Sequence, residues 1–257
     1  MDPVRHLEIL RAEGDRIASL PADALGAAVP ALPDWTVERV VRHLVKVHEW
    51  VAGALALPAG AGMDQIAERP PVPSGEGCLQ AYRAAVDELT AAFEADDPER
   101  PAVTFAGLGS VGWWLRRQAN EAQVHRIDAQ DAVHAAGGAA PDPLAVDGAA
   151  DVADEWAGFF LALRYGQRFG ALPDDLDGRS VHLHGTDPEP PADGAEWFLS
   201  FRDGGVVVER AHAKGDVALR GRAEDLALVL WRRRPLGALD AIGDVALAER
   251  LLDVARF

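Results

Sequence analysis

The first half of the chain carries apolar residues at helical spacing, every three or four positions. This period covers residues 2–20, 37–57, 78–95 and 111–136. Stretches rich in proline and glycine separate these segments, including residues 58–77 and a turn around Pro98 and Pro101. Either Asp34 or Thr36 can cap the second segment, because both side chains accept a backbone N–H at a helix start. Four amphipathic helices with long connections predict a helical bundle.

The period changes to two in the second half of the chain, which predicts short strands. Alternating stretches cover residues 180–184, 196–201, 206–208 and 216–220, and Asp203-Gly204-Gly205 predicts a hairpin turn. Helical patterns cover residues 147–164, 223–231 and 245–256. We therefore expect an α+β fold with two domains. Residues 1–140 form a four-helix bundle, and residues 147–257 form a small α+β domain with an antiparallel sheet.

The charge of the chain narrows the classes of partner. Its 257 residues include 25 basic and 41 acidic ones, a formal net charge of −16. Such a surface repels phosphate backbones and anionic lipid, so we expect neither nucleic-acid nor membrane binding. The chain has no long apolar run, and its first residues do not resemble a secretory signal, so we expect a cytoplasmic protein. No segment indicates an interface between copies, which favours a monomer.

The single cysteine adds little chemistry. Cys78 cannot form a disulfide within the chain, which fits a reducing compartment. Glu76 lies two residues away and no nearby residue is basic, so nothing nearby would stabilise a reactive thiolate. We interpret Cys78 as a packing residue.

Three side chains form a candidate metal site. Glu121 and His125 are four residues apart on the fourth predicted helix, and this spacing brings both side chains to one face. His43 lies among valines and leucines on the second helix and can face them across the bundle. Two imidazole nitrogens and one carboxylate suit Zn²⁺, with Fe²⁺, Ni²⁺ and Co²⁺ as alternatives. Three protein ligands leave a coordination position open, as in catalytic sites. Glu49, Asp128 and backbone carbonyls are candidate acceptors for the second N–H of each imidazole.

Longer motifs around these residues resemble the mycothiol-dependent maleylpyruvate isomerase family of the DinB-like metal-dependent superfamily. They are PDWTV at 33–37, VRHL at 41–44, WLRR at 114–117 and EAQVHRID at 121–128. The stretch from Leu219 to Gly243 is similar to the C-terminal domain of the family. The resemblance implies an N-terminal DinB-like four-helix bundle whose metal is held at the positions of His43, Glu121 and His125.

The resemblance also implies a mechanism. In the family a low-molecular-weight thiol, mycothiol, binds at the metal, is deprotonated there, and attacks a small electrophile. The isomerase adds the thiol to a cis double bond, the adduct rotates about the resulting single bond, and elimination of the thiol gives the trans isomer. Related transferases join the thiol to the substrate or exchange it. A family arginine that supports activity corresponds best to Arg233 in the run Arg232-Arg233-Arg234, although its neighbours stay open. An arginine fork there would suit a substrate carboxylate. A basic helix end stabilised by the helix dipole is the structural alternative.

Two other functions remain open at this point. The bundle could serve a non-enzymatic metal-binding or regulatory protein, or a metal-dependent hydrolase with an activated water. Several residues are given structural interpretations. We place His48 on the helix surface or behind the metal ligands. His182 and His184 share one face of a strand and could bind a metal, but we favour a solvated strand face. Trp113 and Trp114 are given packing positions, and lining of the pocket by one of them stays open.

Overall fold

The computed structural model describes residues 1–58, 60–192 and 194–257. They divide into two units, Met1–Asp142 and Pro143–Phe257, each with its own internal contacts. Within these described ranges, no helix combines the length and the apolar character that crossing a membrane would need.

The N-terminal unit contains the four predicted helices. They are α1 (Pro3–Ala18), α2 (Val37–Leu55), α3 (Gly77–Glu94) and α4 (Val111–Ala135). Helix α1 packs against α3 and α4, and α2 packs against the same two helices. The Oγ1 atom of Thr36 accepts the backbone N–H of Arg39 at 3.3 Å, so Thr36, not Asp34, caps α2. The predicted bundle is therefore confirmed.

A short hairpin precedes α4 where the sequence predicts only a turn. Strands β1 (Pro101–Thr104) and β2 (Gly107–Ser110) pair antiparallel. Each strand has only four residues, and two of those in β2 are glycines. The pair is therefore too short and too poor in side chains to show an alternation of apolar and polar residues. The Nε1 atom of Trp114 donates to the carbonyl of Val103 at 2.9 Å and so fixes the hairpin to α4.

A buried ion pair joins α1 to α4. The Arg126 side chain is fully buried, and its Nε donates to Oε2 of Glu13 at 2.6 Å. Arg126 also donates to Oε1 of Gln130 at 2.9 Å and to the carbonyl of Asp142. Arg126 directly follows the candidate ligand His125, so this pair fixes the helix that carries two of the three site residues.

The C-terminal unit begins with a helical stretch and continues into a sheet. The stretch comprises α5 (Val146–Glu155), π-helical turns over Trp156–Arg164, and α6 (Tyr165–Phe169). The strands are β3 (Ser180–Gly185), β4 (Glu196–Arg202), β5 (Gly205–Glu209), β6 (Val217–Gly221) and β7 (Asp240–Gly243). Helices α7 (Ala223–Leu230) and α8 (Val245–Val254) complete the unit. The predicted α+β class is confirmed.

The five strands are ordered β5-β4-β3-β6-β7. Three of the four pairings are antiparallel, as the sequence predicts, and the β3–β6 pairing is parallel. An alternation of apolar and polar residues shows which side chains of a strand share a face, but not which strand lies beside it. The parallel β3–β6 pair was therefore not predicted. The sequence also missed β7. A Cβ on its last residue, Gly243, would lie 2.2 Å from the carbonyl oxygen of Asp216, so only glycine fits there.

Candidate metal centre

His43, Glu121 and His125 come together between α2 and α4. The Nε2 atom of His43 lies 3.0 Å from Oε1 of Glu121, and Nε2 of His125 lies 3.4 Å from the same oxygen. One nitrogen or oxygen atom from each residue falls within a group no wider than 4.8 Å. The helical spacing of Glu121 and His125 puts them one turn apart on α4, and α2 supplies the third donor.

The burial of the three side chains differs. Glu121 and His125 are 12% and 11% exposed, whereas His43 is 33% exposed. Val40, Val41 and Leu44 are fully buried beside His43 and hold its part of α2 against the bundle core. One side of the cluster therefore opens to solvent, which gives a small molecule access to the donor atoms.

Asp128 orients the His125 ring. The carboxylate of Asp128 is fully buried, and its Oδ2 lies 2.8 Å from Nδ1 of His125. A carboxylate on one ring nitrogen fixes the proton there and turns the other nitrogen, Nε2, toward Glu121 and His43. Of the acceptors that the sequence left open, the structure selects Asp128 for His125.

Charged neighbours set the protonation of the cluster. Burial would raise the pKa of the Glu121 carboxyl, but Arg117 and His125 hold that pKa well below its usual range. Burial likewise opposes a charge on His125, but Glu121 and then Asp128 raise its pKa to about 9. Without a cation, an ionised Glu121 therefore lies between Arg117, which pairs with its Oε2, and a charged His125.

Trp35 contacts both histidines, which sequence reasoning did not foresee. Its ring stacks parallel on His125 at a centroid distance of 6.0 Å and meets His43 edge-on at 5.3 Å. The guanidinium of Arg39 lies 4.8 Å from the centre of the Trp35 ring, in a cation–π contact. The PDWTV motif marked Trp35 as a family feature, but its place beside the imidazoles depends on how the loop before α2 folds.

His48 does not lie on the helix surface. Its side chain is fully buried, its Nδ1 lies 2.9 Å from Oε1 of Gln118, and its ring contacts Tyr82. Burial lowers the pKa of His48 to about 4, despite the hydrogen bond to Gln118. The surface interpretation was wrong because Lys46 and Trp50, not His48, are the exposed residues in this part of α2. Cys78 and Trp114 are buried packing residues, as predicted.

A basic cleft of about 500 Å³ opens beside His43. Trp35 and His43 line it together with three cationic side chains, Arg39, Arg42 and Lys46, and one acidic side chain, Glu38. The excess of positive charge contrasts with the net charge of −16 on the whole chain. Electrostatic attraction of anions into such a cleft is therefore expected.

The three arginines after α7 have different local contacts in the C-terminal unit. Arg232 has φ of 61° and takes the left-handed position after the helix, with its Nη1 donating to the carbonyl of Leu252 at 2.7 Å. Arg233 donates from Nη1 to the carbonyl of Trp231 at 2.8 Å, and Arg234 donates to the carbonyl of Arg233 at 2.9 Å. Arg232 is thus hydrogen-bonded to α8. A role for Arg233 in binding substrate stays a prediction.

These features define a class of protein: a DinB-like helical bundle with a His–Glu–His cluster, followed by an α+β unit. Residues 7–130 match the mycothiol maleylpyruvate isomerase N-terminal domain, and residues 147–250 match the C-terminal domain of the same enzyme. Together these matches span most of the chain. The chain belongs to the mycothiol-dependent maleylpyruvate isomerase family, a family of isomerase enzymes.

Solved structures agree at the level of the fold. A mycothiol-dependent maleylpyruvate isomerase superposes with a TM-score of 0.56 at 12% identity, over 94% of this chain and 93% of that chain. A histidine-to-alanine variant of a mycothiol-dependent maleylpyruvate isomerase gives 0.58 at 10% identity, with the same coverage. A comparison with curated protein sequences found no significant match.

Proposed function

We propose that this chain is a metal-dependent enzyme that uses mycothiol to isomerise a small anionic electrophile. The observation that carries the proposal is the convergence of His43, Glu121 and His125 within 4.8 Å, in a chain that belongs to this family. Two imidazoles and one carboxylate fit Zn²⁺, and three protein ligands leave a position for a thiol sulfur. When bound, zinc would lower the pKa of that thiol, so that the thiolate forms near neutral pH.

The residues of the chain have distinct roles in this proposal. His43, Glu121 and His125 would hold the metal, with Nε2 of each histidine close to Oε1 of Glu121. Asp128 keeps the His125 ring in the orientation that presents Nε2. Trp35 forms an apolar wall over both imidazoles and limits the directions from which water can approach.

The charge around the site supports an anionic substrate. Arg39, Arg42 and Lys46 line the cleft beside His43, where they would attract a carboxylate and hold it near the metal. We further propose that Arg233 binds a substrate carboxylate through its planar guanidinium. This role rests on its match to the family arginine in the sequence.

The first test is metal-dependent thiol binding. We expect calorimetry to detect mycothiol binding to the zinc-loaded chain and at least about tenfold weaker binding to the chelator-treated chain, because the thiolate is bound through the metal. His43→Ala should lose both the metal and the thiol affinity, whereas the control His134→Ala, on the same bundle, should keep them.

The outcomes separate the candidate functions. A chain that holds zinc but shows no thiol affinity would contradict the proposal and favour a non-enzymatic metal-binding protein. If the chain is active, product analysis distinguishes two reactions: mycothiol acts in catalytic amounts in an isomerisation and is consumed one for one in an S-transfer.

The second test addresses substrate charge. Lys46→Gln and Arg233→Met are each expected to raise KM for a carboxylate substrate by roughly tenfold, the effect of losing one charge-assisted hydrogen bond of about 1.5 kcal/mol. Arg232→Met is the matched control for Arg233, because Arg232 donates to Leu252 in α8. Equal effects on a neutral ester of the same electrophile would contradict a role in carboxylate recognition.

A further inference from the structure

A second group of metal-ligating side chains lies in the C-terminal unit. His182 and His184 share one face of β3, Glu196 begins the neighbouring strand β4, and His212 lies in the segment between β5 and β6. The sequence favoured a solvated strand face for the two β3 histidines. That interpretation was wrong, because His182 is 5% exposed and both histidines contact the Glu196 carboxylate.

The three imidazoles converge on this one carboxylate. Oε2 of Glu196 lies 3.1 Å from Nε2 of His182 and 2.7 Å from Nδ1 of His212. Its Oε1 lies 3.0 Å from Nδ1 of His184. One donor atom from each of the four residues falls within a group no wider than 4.8 Å.

We propose that His182, His184, Glu196 and His212 form a second zinc site with a complete set of four protein ligands. Zinc–ligand bonds of about 2.0–2.2 Å place tetrahedral ligand atoms about 3.3–3.6 Å apart. The four donor atoms therefore need to move by about 1 Å or less to surround an ion. Three nitrogens and one carboxylate oxygen match the ligand preference of zinc.

The sheet holds three of these donors in place. His184 and Glu196 are direct partners in the antiparallel β3–β4 pair, and His182 lies two residues along the same face. The fourth donor, His212, comes from outside the strands, and its side chain is 75% exposed. An ion can enter from this side, after which His212 would close the site.

The two sites differ in the chemistry that they allow. The bundle cluster offers three donors and leaves a position open, as catalytic zinc does, whereas the sheet cluster offers four donors and closes the coordination sphere. The role of the second site is therefore structural: the ion would fasten the segment between β5 and β6 to the β3–β4 pair. The alternative is a metal-free group in which Glu196 simply pairs with the imidazoles.

The test uses the 257-residue chain with the bundle site removed by His43→Ala and Glu121→Gln. Titration with zinc chloride is expected to fill one site per chain and to raise the melting temperature. Cobalt(II) should give the visible absorption of a tetrahedral complex. Adding His212→Ala should weaken zinc binding at least about tenfold and remove the thermal shift. Adding His134→Ala, the control, should change neither.

Zinc binding that is unchanged by His212→Ala, or absent from the chain without the bundle site, would overturn the proposal. A second measurement needs no change in the bundle. The wild-type chain is expected to hold two zinc ions, and His212→Ala alone is expected to hold one. If wild type holds a single ion that His212→Ala retains and Glu121→Gln loses, the proposed sheet site is wrong and the bundle site stands. If the single ion is instead lost in His212→Ala and retained in Glu121→Gln, the bundle site is contradicted.

Discussion

Glu121→Gln is expected to remove tight metal binding from the bundle and to reduce isomerase activity to background. The amide keeps the shape of the side chain but loses the negative charge that lies 3.0 Å and 3.4 Å from the two histidine nitrogens. It also removes the carboxylate charge that pairs with Arg117 beside the cation. We expect zinc affinity at this site to fall by more than about 100-fold, which exceeds the usual cost of losing an outer hydrogen-bond partner. Competition with a zinc-binding dye, in the His212→Ala background, measures this affinity.

A graded series makes the prediction sharper. Asp128→Asn keeps all three donors but weakens the orientation of His125, so its affinity should fall by about 10–100-fold, between wild type and Glu121→Gln. Asp131→Asn removes one negative charge from the same helix outside the cluster and should leave affinity within about twofold. If Glu121→Gln binds zinc as tightly as Asp131→Asn does, Glu121 is not a ligand.

The second large effect concerns the stability of the bundle. Arg126→Met is expected to lower the free energy of unfolding by about 3 kcal/mol, because it leaves the buried Glu13 carboxylate without its buried partner. Arg16, which reaches Oε1 of Glu13 at 2.9 Å, keeps the loss at the lower end of the usual range. Urea unfolding followed by circular dichroism measures the change. Metal affinity provides a second readout, since Arg126 fixes the helix that bears Glu121 and His125.

Two variants separate the ion pair from general damage. Arg126→Met combined with Glu13→Leu should recover more than half of the lost stability, because no buried charge then remains unpaired. Arg83→Met breaks the exposed pair with Asp15 and should cost less than about 1 kcal/mol. A double variant that is no more stable than Arg126→Met would show that the loss comes from packing or from the contact with Asp142.

Much of the fold could be predicted from the periodic spacing of apolar side chains along the sequence. The four bundle helices are long enough for the period to repeat several times, so their positions could be predicted within a few residues. The β1–β2 hairpin could not, because its strands are four residues long and β2 contains Gly107 and Gly109. The parallel pairing of β3 with β6 depends on the path of the chain between them, which a period of two does not encode.

The residues of the candidate sites also differ in how far the sequence could predict them. Glu121 and His125 share a helix, so their spacing and the family motif were enough to bring them together with His43. The neighbours of these residues were harder to predict. Trp35 reaches the cluster from a loop, so its stacking on His125 could not be inferred before that loop was placed. His212 lies 28 residues after His184 and outside any strand, so no local pattern linked it to Glu196.

The strand order of the C-terminal sheet also predicts a sequence of events in folding. Strands β3, β4 and β5 are consecutive neighbours and can pair through short-range contacts, while β6 must cross back to the free edge of β3. Until β6 arrives, that edge of β3 is unpaired and open to other chains. His182, His184 and Glu196 belong to the early strands, and His212 belongs to the segment that leads to the late one. A nascent chain would therefore gather three of these four side chains before its last strands join the sheet.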